Sequence, residues 1–556
     1  MRLVVVGGVA GGMSFAARAR RLDEDAEIIV FERGEHVSFA NCGLPYYVGG
    51  EITNAQRLLV QTPASLAAAF NLDVRVGHDV TSLNVDDKTV TVNGPNGEEV
   101  VAYDKLVLSP GAKAVFPPIK GLDTPRAHTL RTIDDALTLR KGVDDGLRSA
   151  VILGAGFIGL EAAEALANQD IEVSIVELAD HVLPPLEREI AYPVTEELRR
   201  LGIKVYSGSG AVEIIHGEDE DLVVLDDGTE IPAQMIELSV GVRPDTAPFA
   251  GAGIECLNGA LRVDEYGRTS APDVWAVGDA VASIDAVTGA ERPVALAGPA
   301  NRAGRLVADN VIRGDISQKI PHPVGTAIVR AGELTAAITG ANRRSLDEAG
   351  IDYTTLHLHP LNHAGYFPGA EQMSLLAHID SQTGKILGAQ AVGKAGIDKR
   401  IDVLATAIRG GMDVWDLIEL DLAYSPPYGM AKDPVNLVGM VGSNVLDGTL
   451  RLWYPEELEQ AEETSLLLDV RTPEEWDTGH VPGSLLIPHT ELRERMDEVD
   501  AAAAGRPIRV LCQSGVRSAI AHRQLVQKGY DSASLSGGCL TLKEYLGDRT
   551  WDVLVQ

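Results

Sequence analysis

One stretch leaves few folds open. Val151-Ile152-Leu153-Gly154-Ala155-Gly156-Phe157-Ile158-Gly159 passes from an apolar strand through a complete G-x-G-x-x-G turn into a helix predicted over Leu160–Gln169, with a second strand over Glu172–Val176. Glycines at this spacing let the backbone close on a pyrophosphate that rests on the helix N-terminus, so the stretch calls for a parallel, helix-covered nucleotide sheet. Glu177 ends the second strand, where a carboxylate binds a ribose 2′-hydroxyl. No Arg follows at once to receive a 2′-phosphate, which favours NADH over NADPH. Gly241-Val242-Arg243-Pro244 closes this insertion.

A less regular copy opens the chain. The strand Arg2–Val6 leads into Gly7-Gly8-Val9-Ala10-Gly11-Gly12, a helix predicted over Met13–Arg21, and a strand Glu27–Phe31 ending at Glu32-Arg33. With Gly7 as the first glycine the central one is replaced by Val9, so a structural glycine turn stands beside the nucleotide reading. Two later segments complete the pattern: the strand Leu106–Leu108 running into Ser109-Pro110-Gly111, and Val274-Trp275-Ala276-Val277-Gly278-Asp279, whose carboxylate can bind a flavin ribityl hydroxyl. Alone, the Gly-Asp pair says little. After two nucleotide turns in this order it points to FAD.

Between the two copies lies Ser38-Phe39-Ala40-Asn41-Cys42-Gly43-Leu44-Pro45-Tyr46-Tyr47. Cys42 falls where a helix starts, with Pro45 tolerated in its first turn. A thiol there sits in positive potential, which lowers its pKa. The alternative is a small buried residue, the usual place of a free cysteine.

The chain has 556 residues, room for three or four domains, and 45% hydrophobic residues. A formal charge of −32 argues against nucleic acid or an anionic membrane as partner. The four cysteines (42, 256, 512, 539) have no metal-ligand spacing, so no metal is expected, and reduced thiols in a cytoplasmic enzyme are the better reading. No apolar run is long enough to span a bilayer.

On these motifs residues 1–445 resemble the two-dinucleotide-binding flavoprotein disulfide reductases, within them the single-cysteine branch of coenzyme A disulfide reductases, NADH oxidases and persulfide reductases. Tyr47 stands where a C-x-x-x-x-C pair starting at Cys42 needs its second cysteine, so Cys42 must cycle through a mixed disulfide, a persulfide or a sulfenic acid. The resemblance implies a split FAD domain (1–120 and 245–325), an NAD(H) domain (121–244) and an α+β interface domain (326–445) that makes a homodimer. His363-Ala364-Gly365-Tyr366-Phe367-Pro368-Gly369 and Tyr424-Ser425-Pro426-Pro427-Tyr428-Gly429-Met430-Ala431-Lys432 match its motifs, which implies that Tyr366 and Tyr424 reach the partner's cysteine. It also implies coenzyme A contacts from Ser14, Arg18, Arg21, Ser38, Asn41, Asn301 and Lys432. Arg18 and Arg21, three apart on one helix face, can clamp phosphates; a solvated basic face is the alternative.

Residues 446–556 resemble a rhodanese domain. The strand Ile508–Leu511 leads into Cys512-Gln513-Ser514-Gly515-Val516-Arg517-Ser518 and a helix to about Lys528. A strand-end cysteine, a short loop of N–H groups and a helix dipole stabilise a thiolate or persulfide, and the spacing from Cys512 to Arg517 suits sulfur. A degenerate rhodanese is the alternative. Cys256 and Cys539 read as structural.

The fold expected is therefore α/β: two three-layer nucleotide domains, an α+β dimerisation domain and an α/β rhodanese domain. The functions that fit are reduction of coenzyme A persulfide, polysulfide and disulfide through Cys42 with sulfur delivered by Cys512, a coenzyme A disulfide reductase with an incidental tail, an NADH oxidase using a Cys42 sulfenic acid, and a sulfurtransferase whose flavoprotein part senses redox state.

Overall fold

Leu3, Val4, Val5 and Val6 are all buried, which makes Arg2–Val6 a central strand with both faces covered. Leu3 and Val5 pack with Phe15, Ala16 and Ala19 of the helix Ala10–Leu22, whereas Val4 and Val6 pack with Leu83, Val90 and Phe249 on the opposite face. The computed structural model describes residues 1–314 and 318–556, and their contacts divide them into two units.

The first unit comprises Met1–Leu178 and Gly202–Gly325. Its first sheet has the order Val274–Ala276, Lys105–Leu108, Arg2–Val6, Glu27–Glu32, Asp73–Val76, all parallel. The chain leaves Arg2–Val6 toward one edge and returns on the other side. That order change opens a crevice at the strand C-termini where ligands bind. The second sheet, Lys204–Ser207, Glu172–Glu177, Ser149–Leu153, Met235–Leu238, Ala127–His128, is also parallel. The helices start earlier than the apolar pattern indicates, at Ala10 and Phe157, because the turn residues already have helical geometry.

The second unit comprises Ala179–Leu201 and Thr326–Gln556. An antiparallel sheet, Ala327–Ala331, Leu334–Gly340, Ile386–Gly393, Met373–Asp380, Tyr353–Leu358, shares its core with the helices Ile397–Gly410 and Pro434–Leu446. The C-terminal module is a parallel sheet in the order Leu452–Trp453, Ser532–Leu535, Ile508–Leu511, Leu466–Asp469, Leu485–Leu486, with a separate core on each face. One element departs from the expected layout. The helix Arg188–Arg200 lies inside the 121–244 stretch yet groups with this unit, because its buried Glu189 and Glu197 bond to residues of the antiparallel sheet and its neighbours. Among the described residues no helix is long and apolar enough to cross a membrane.

Candidate functional site

The crevice of the first sheet is a cleft of about 750 Å³ that collects most of the residues expected there. Gly7, Gly8, Gly11, Glu32, Arg33, Ser109, Gly111, Gly278, Asp279, Asn41 and Cys42 all line it. Gly7 has φ +97°, and a Cβ on it would lie 2.0 Å from the Ser109 carbonyl oxygen, so only glycine brings these two strand ends together. The irregular motif works because a Cβ on Gly12 would lie 2.0 Å from the Gly7 oxygen, just as one on Gly159 would lie 2.1 Å from that of Gly154. Both turns close through their outer glycines. The central position has negative φ in each, −111° at Val9 and −75° at Gly156, which valine tolerates.

Each turn also has its acid. Glu32 Oε2 accepts the Gly8 N–H at 2.8 Å and its other oxygen accepts Gly34 N–H at 2.9 Å; Glu177 Oε2 accepts the Ala155 N–H at 2.7 Å. Arg33 lines the cleft paired with Asp245, which also takes Lys113 at 2.7 Å. Burial pushes the Asp279 carboxyl up, with Arg131 opposing from 3.9 Å. A carboxylate so weakly compensated suits the hydroxyls of a ribityl chain. A Cβ on Gly156 or Gly241 would meet open space, which leaves the backbone of the second turn accessible to a pyrophosphate. The two sites thus fit FAD and a pyridine nucleotide.

Cys42 lies in a 3₁₀ turn, Asn41–Gly43, that runs straight into the helix Leu44–Val48, with Pro45 in its first turn. Its thiol is open to the cleft. The lowered pKa expected from a helix start is not what the surroundings produce. Desolvation by the enclosing walls pushes the thiol up, the Glu161 carboxylate pushes it further, and Asp279 adds to this against a lowering by a backbone N–H. A five-residue helix has a weak dipole, and a carboxylate close by outweighs it. Glu161 is held there by the Tyr46 hydroxyl at 3.0 Å. This pair was missed in the sequence, where only the position of Glu161 two residues after Gly159 hinted at it.

The residues linked to coenzyme A divide. Ser14 Oγ donates to Asn301 Oδ1 at 2.5 Å, across the contact between the helices Ala10–Leu22 and Ala297–Arg313. Ser38 adopts φ +46° between hydrogen bonds to Gly8 and Val60, and Asn41 Nδ2 reaches the Arg131 carbonyl at 3.5 Å. Arg18 does not stand beside Arg21 as a phosphate clamp. Its guanidinium binds both oxygens of Asp309 (2.7 and 3.2 Å), while Arg21 lies over the Phe70 ring at 4.9 Å.

In the second unit the two expected tyrosines meet. The Tyr366 and Tyr424 hydroxyls are 3.2 Å apart with both rings exposed, and this hydrogen bond raises the Tyr366 pKa. Their loops are anchored by the buried Arg400, which donates to Asp433 at 2.8 Å and to the Asn362 carbonyl at 2.9 Å. Asp433 in turn caps the helix Pro434–Leu446, next to the exposed Lys432.

Cys512 follows the strand Ile508–Leu511 and is fully buried, its Sγ 3.2 Å from Ser518 Oγ. Gly515, at φ +87°, caps the helix Val516–Gln527. Arg517 is bound to both oxygens of Glu475 (2.7 and 2.6 Å), a pairing that holds the Glu475 carboxyl down at about 2. Cys539 is buried too, and burial pushes its thiol up to about 12. Its backbone N–H donates to the Cys512 carbonyl at 2.8 Å, so the position braces the loop as well as filling the core.

Two parallel nucleotide sheets, a cleft containing a solvent-open thiol, and a second cysteine loop on its own sheet define a dinucleotide-dependent thiol oxidoreductase with an added cysteine-bearing module. Residues 1–294 match the model of pyridine nucleotide-disulphide oxidoreductases, residues 327–433 that of their dimerisation domain, and residues 454–544 a rhodanese-like domain. The chain belongs to the pyridine nucleotide-disulphide oxidoreductase family, whose cofactors are FAD and NAD(P)H. Coenzyme A disulfide reductase of Staphylococcus haemolyticus (strain JCSC1435) is 33% identical over 442 residues, 79% of this chain and 98% of its own. The structure of reduced Bacillus anthracis CoADR-RHD shares 40% identity and a TM-score of 0.96, over 100% of this chain and 99% of its own. That of an NAD-dependent persulfide reductase from A. fulgidus shares 36% and 0.91, over 97% and 100%.

Proposed function

We propose that the protein is an FAD-dependent, NADH-preferring reductase of coenzyme A persulfide, polysulfide and coenzyme A disulfide, acting at Cys42 in a cytoplasmic homodimer, with sulfane sulfur delivered by Cys512. The observation that carries the reading is the pairing, in one chain, of a cleft thiol that has Tyr47 where a partner cysteine would stand with a separate cysteine loop of rhodanese type. A lone thiol needs an external partner, sulfur or oxygen, to complete each turnover, and a persulfide carrier in the same chain favours sulfur. FAD, when bound, supplies the relay that brings the electron pair of NADH to sulfur.

The chain's own residues handle the sulfur. The Cys42 thiolate attacks the inner sulfur of coenzyme A persulfide, forms a mixed disulfide and expels hydrosulfide. Two electrons then cleave the mixed disulfide, regenerating the Cys42 thiolate. The departing coenzyme A thiolate takes a proton from the Tyr366–Tyr424 pair contributed by the partner subunit. Glu161 and Tyr46 sit on the enzyme side of the thiol. The Ser14–Asn301 pair, Ser38, Asn41, Arg21 and Lys432 contact the coenzyme, and Arg18 stiffens the helix that presents Ser14. Glu32 and Glu177 take the ribose hydroxyls of the two nucleotides.

The test is anaerobic NADH oxidation with coenzyme A persulfide, coenzyme A disulfide, polysulfide and then oxygen, in wild type, Cys42→Ser and Cys512→Ser. We expect sulfur substrates to be reduced in preference to oxygen, Cys42→Ser to reduce none while its flavin still accepts hydride, and Cys512→Ser to lose polysulfide turnover but keep coenzyme A disulfide turnover. Fastest turnover with oxygen, or unchanged polysulfide turnover in Cys512→Ser, would overturn the reading.

A further inference from the structure

The segment Ser536–Thr541 joins two sets of contacts. On one side it forms a wall of the Cys512 loop: the Cys539 N–H donates to the Cys512 carbonyl at 2.8 Å and the Leu540 N–H to the Gln513 carbonyl at 3.0 Å. A Cβ on Gly538 would lie 2.4 Å from the Cys512 oxygen and 2.7 Å from the Gly515 nitrogen, so backbone rests on backbone here. On the other side the segment meets the edge strand Tyr353–Leu358 of the antiparallel sheet. Ser536 Oγ lies 2.8 Å from His357 Nδ1 and accepts the His357 backbone N–H at 3.3 Å, and Thr541 Oγ1 lies 2.7 Å from His359 Nε2.

His357 carries the link further. Its Nε2 is 2.8 Å from Glu189 Oε1, which also takes Arg343 at 2.7 Å. Burial alone would raise the Glu189 carboxyl, but the His357 hydrogen bond and the Arg343 charge outweigh it, so Glu189 is ionised. A carboxylate oxygen only accepts, so His357 Nε2 bears the proton. On the other side of the ring, Nδ1 pairs with the Ser536 hydroxyl. Ser536, His357 and Glu189 are all at least nine-tenths buried. Burial places the relay in low local dielectric, which strengthens each hydrogen bond in it.

Resting on the reading of Cys512 as a sulfur carrier, we infer that His357 and Ser536 are positioning residues for the Cys512 loop: the Glu189–His357–Ser536 relay fixes the Gly537–Gly538 turn against which residues 512–515 are built. Sulfur loading at Cys512 therefore depends on two side chains outside the loop, one of them in the interface domain. Neither touches the sulfur.

Substitution at 357 separates the two halves of the relay. His357→Asn places an amide where Nδ1 stood and keeps the Ser536 bond; His357→Gln reaches Glu189 and loses Ser536. Full-length wild type, Ser536→Ala, His357→Gln and His357→Asn are compared in two measurements. The first is amide hydrogen exchange of the peptide holding 513–517. The second is the rate of persulfide formation at Cys512 from inorganic polysulfide, read as sulfur mass added to its peptide, with coenzyme A disulfide reduction as the control. Ser536→Ala and His357→Gln should exchange and load with at least a tenfold change, faster and slower respectively, while His357→Asn stays within threefold of wild type and all four reduce coenzyme A disulfide equally. Wild-type loading rates in Ser536→Ala, or His357→Asn as slow as His357→Gln, would overturn the inference. If wild-type Cys512 takes up no sulfur, the carrier reading fails, and with it any sulfur-loading role for the relay; unchanged exchange in Ser536→Ala would then refute the bracing as well.

Discussion

Gly538→Ala isolates how much of Cys512 chemistry depends on backbone contact. Gly538 has φ +66°, and its Cβ would lie 2.4, 2.7 and 2.8 Å from the Cys512 oxygen, the Gly515 nitrogen and the Gln513 carbonyl carbon. All three are backbone atoms and cannot rotate away. Ordinary contact begins at 3.4 Å, so the loop must retreat by about 1 Å, a misplacement that costs on the order of 10²-fold in a positioned reaction. The left-handed backbone adds roughly 1 kcal/mol of strain of its own. Gly529→Ala supplies the control, since Gly529 has φ +92° with nothing within 4 Å of its Cβ position, and so carries the strain without the clash. The assay is polysulfide loading of Cys512 by peptide mass, with coenzyme A disulfide reduction alongside. We expect Gly538→Ala to load about 10²-fold slower, Gly529→Ala to load like wild type, and both to reduce the disulfide normally. Loading by Gly538→Ala within threefold of Gly529→Ala would refute the reasoning.

Glu177→Ala should narrow the preference for NADH over NADPH, an expected gap on the order of tenfold in kcat/KM, because the carboxylate held by the Ala155 N–H repels a 2′-phosphate; an unchanged ratio counts against it. Glu161→Gln removes a charge that raises the Cys42 thiol, so its pKa should fall and alkylation of Cys42 at neutral pH should quicken; slower alkylation would contradict the assignment. Glu544, which accepts from Ser374 at 2.6 Å, is pushed by burial from 4.5 up to about 8. A raised folded-state value means stability is full below 4.5 and lost as pH rises through 8, so Tm should drop across that window and Glu544→Gln should flatten the drop. A Tm that rises with pH in wild type would refute it.

The parts of the site that obey local rules were readable from the chain. Gly7 and Gly154 are needed by the turns themselves, Glu32 and Glu177 end strands two elements later, and the spacing of Cys512 to Arg517 is a property of one loop. Pairings that join distant segments were not. Nothing near Arg18 announces Asp309, and nothing near Cys42 announces Glu161, because the helices that bring them together are set by packing, as where Gly304 lets its helix approach the Gly11 backbone. The sign of the Cys42 shift failed for the same reason. The helix start is local and visible, whereas the opposing carboxylate comes from another helix, Phe157–Ala167, more than a hundred residues away. The Gly537-Gly538 pair was visible, yet its purpose becomes clear only with the Cys512 carbonyl in view.

The helix Arg188–Arg200 bears on how this gene can be shortened. Its Arg199 grips Asp548 through both oxygens (2.6 and 2.9 Å), and its Glu189 holds His357, which with His359 and Ser374 bonds to Ser536, Thr541 and Glu544 of the C-terminal module. Deleting 446–556 would strand a histidine pair and a carboxylate on a newly wetted face. A truncated enzyme that fails would then report a damaged scaffold and not a missing sulfur carrier. Point changes at Cys512 separate the two causes.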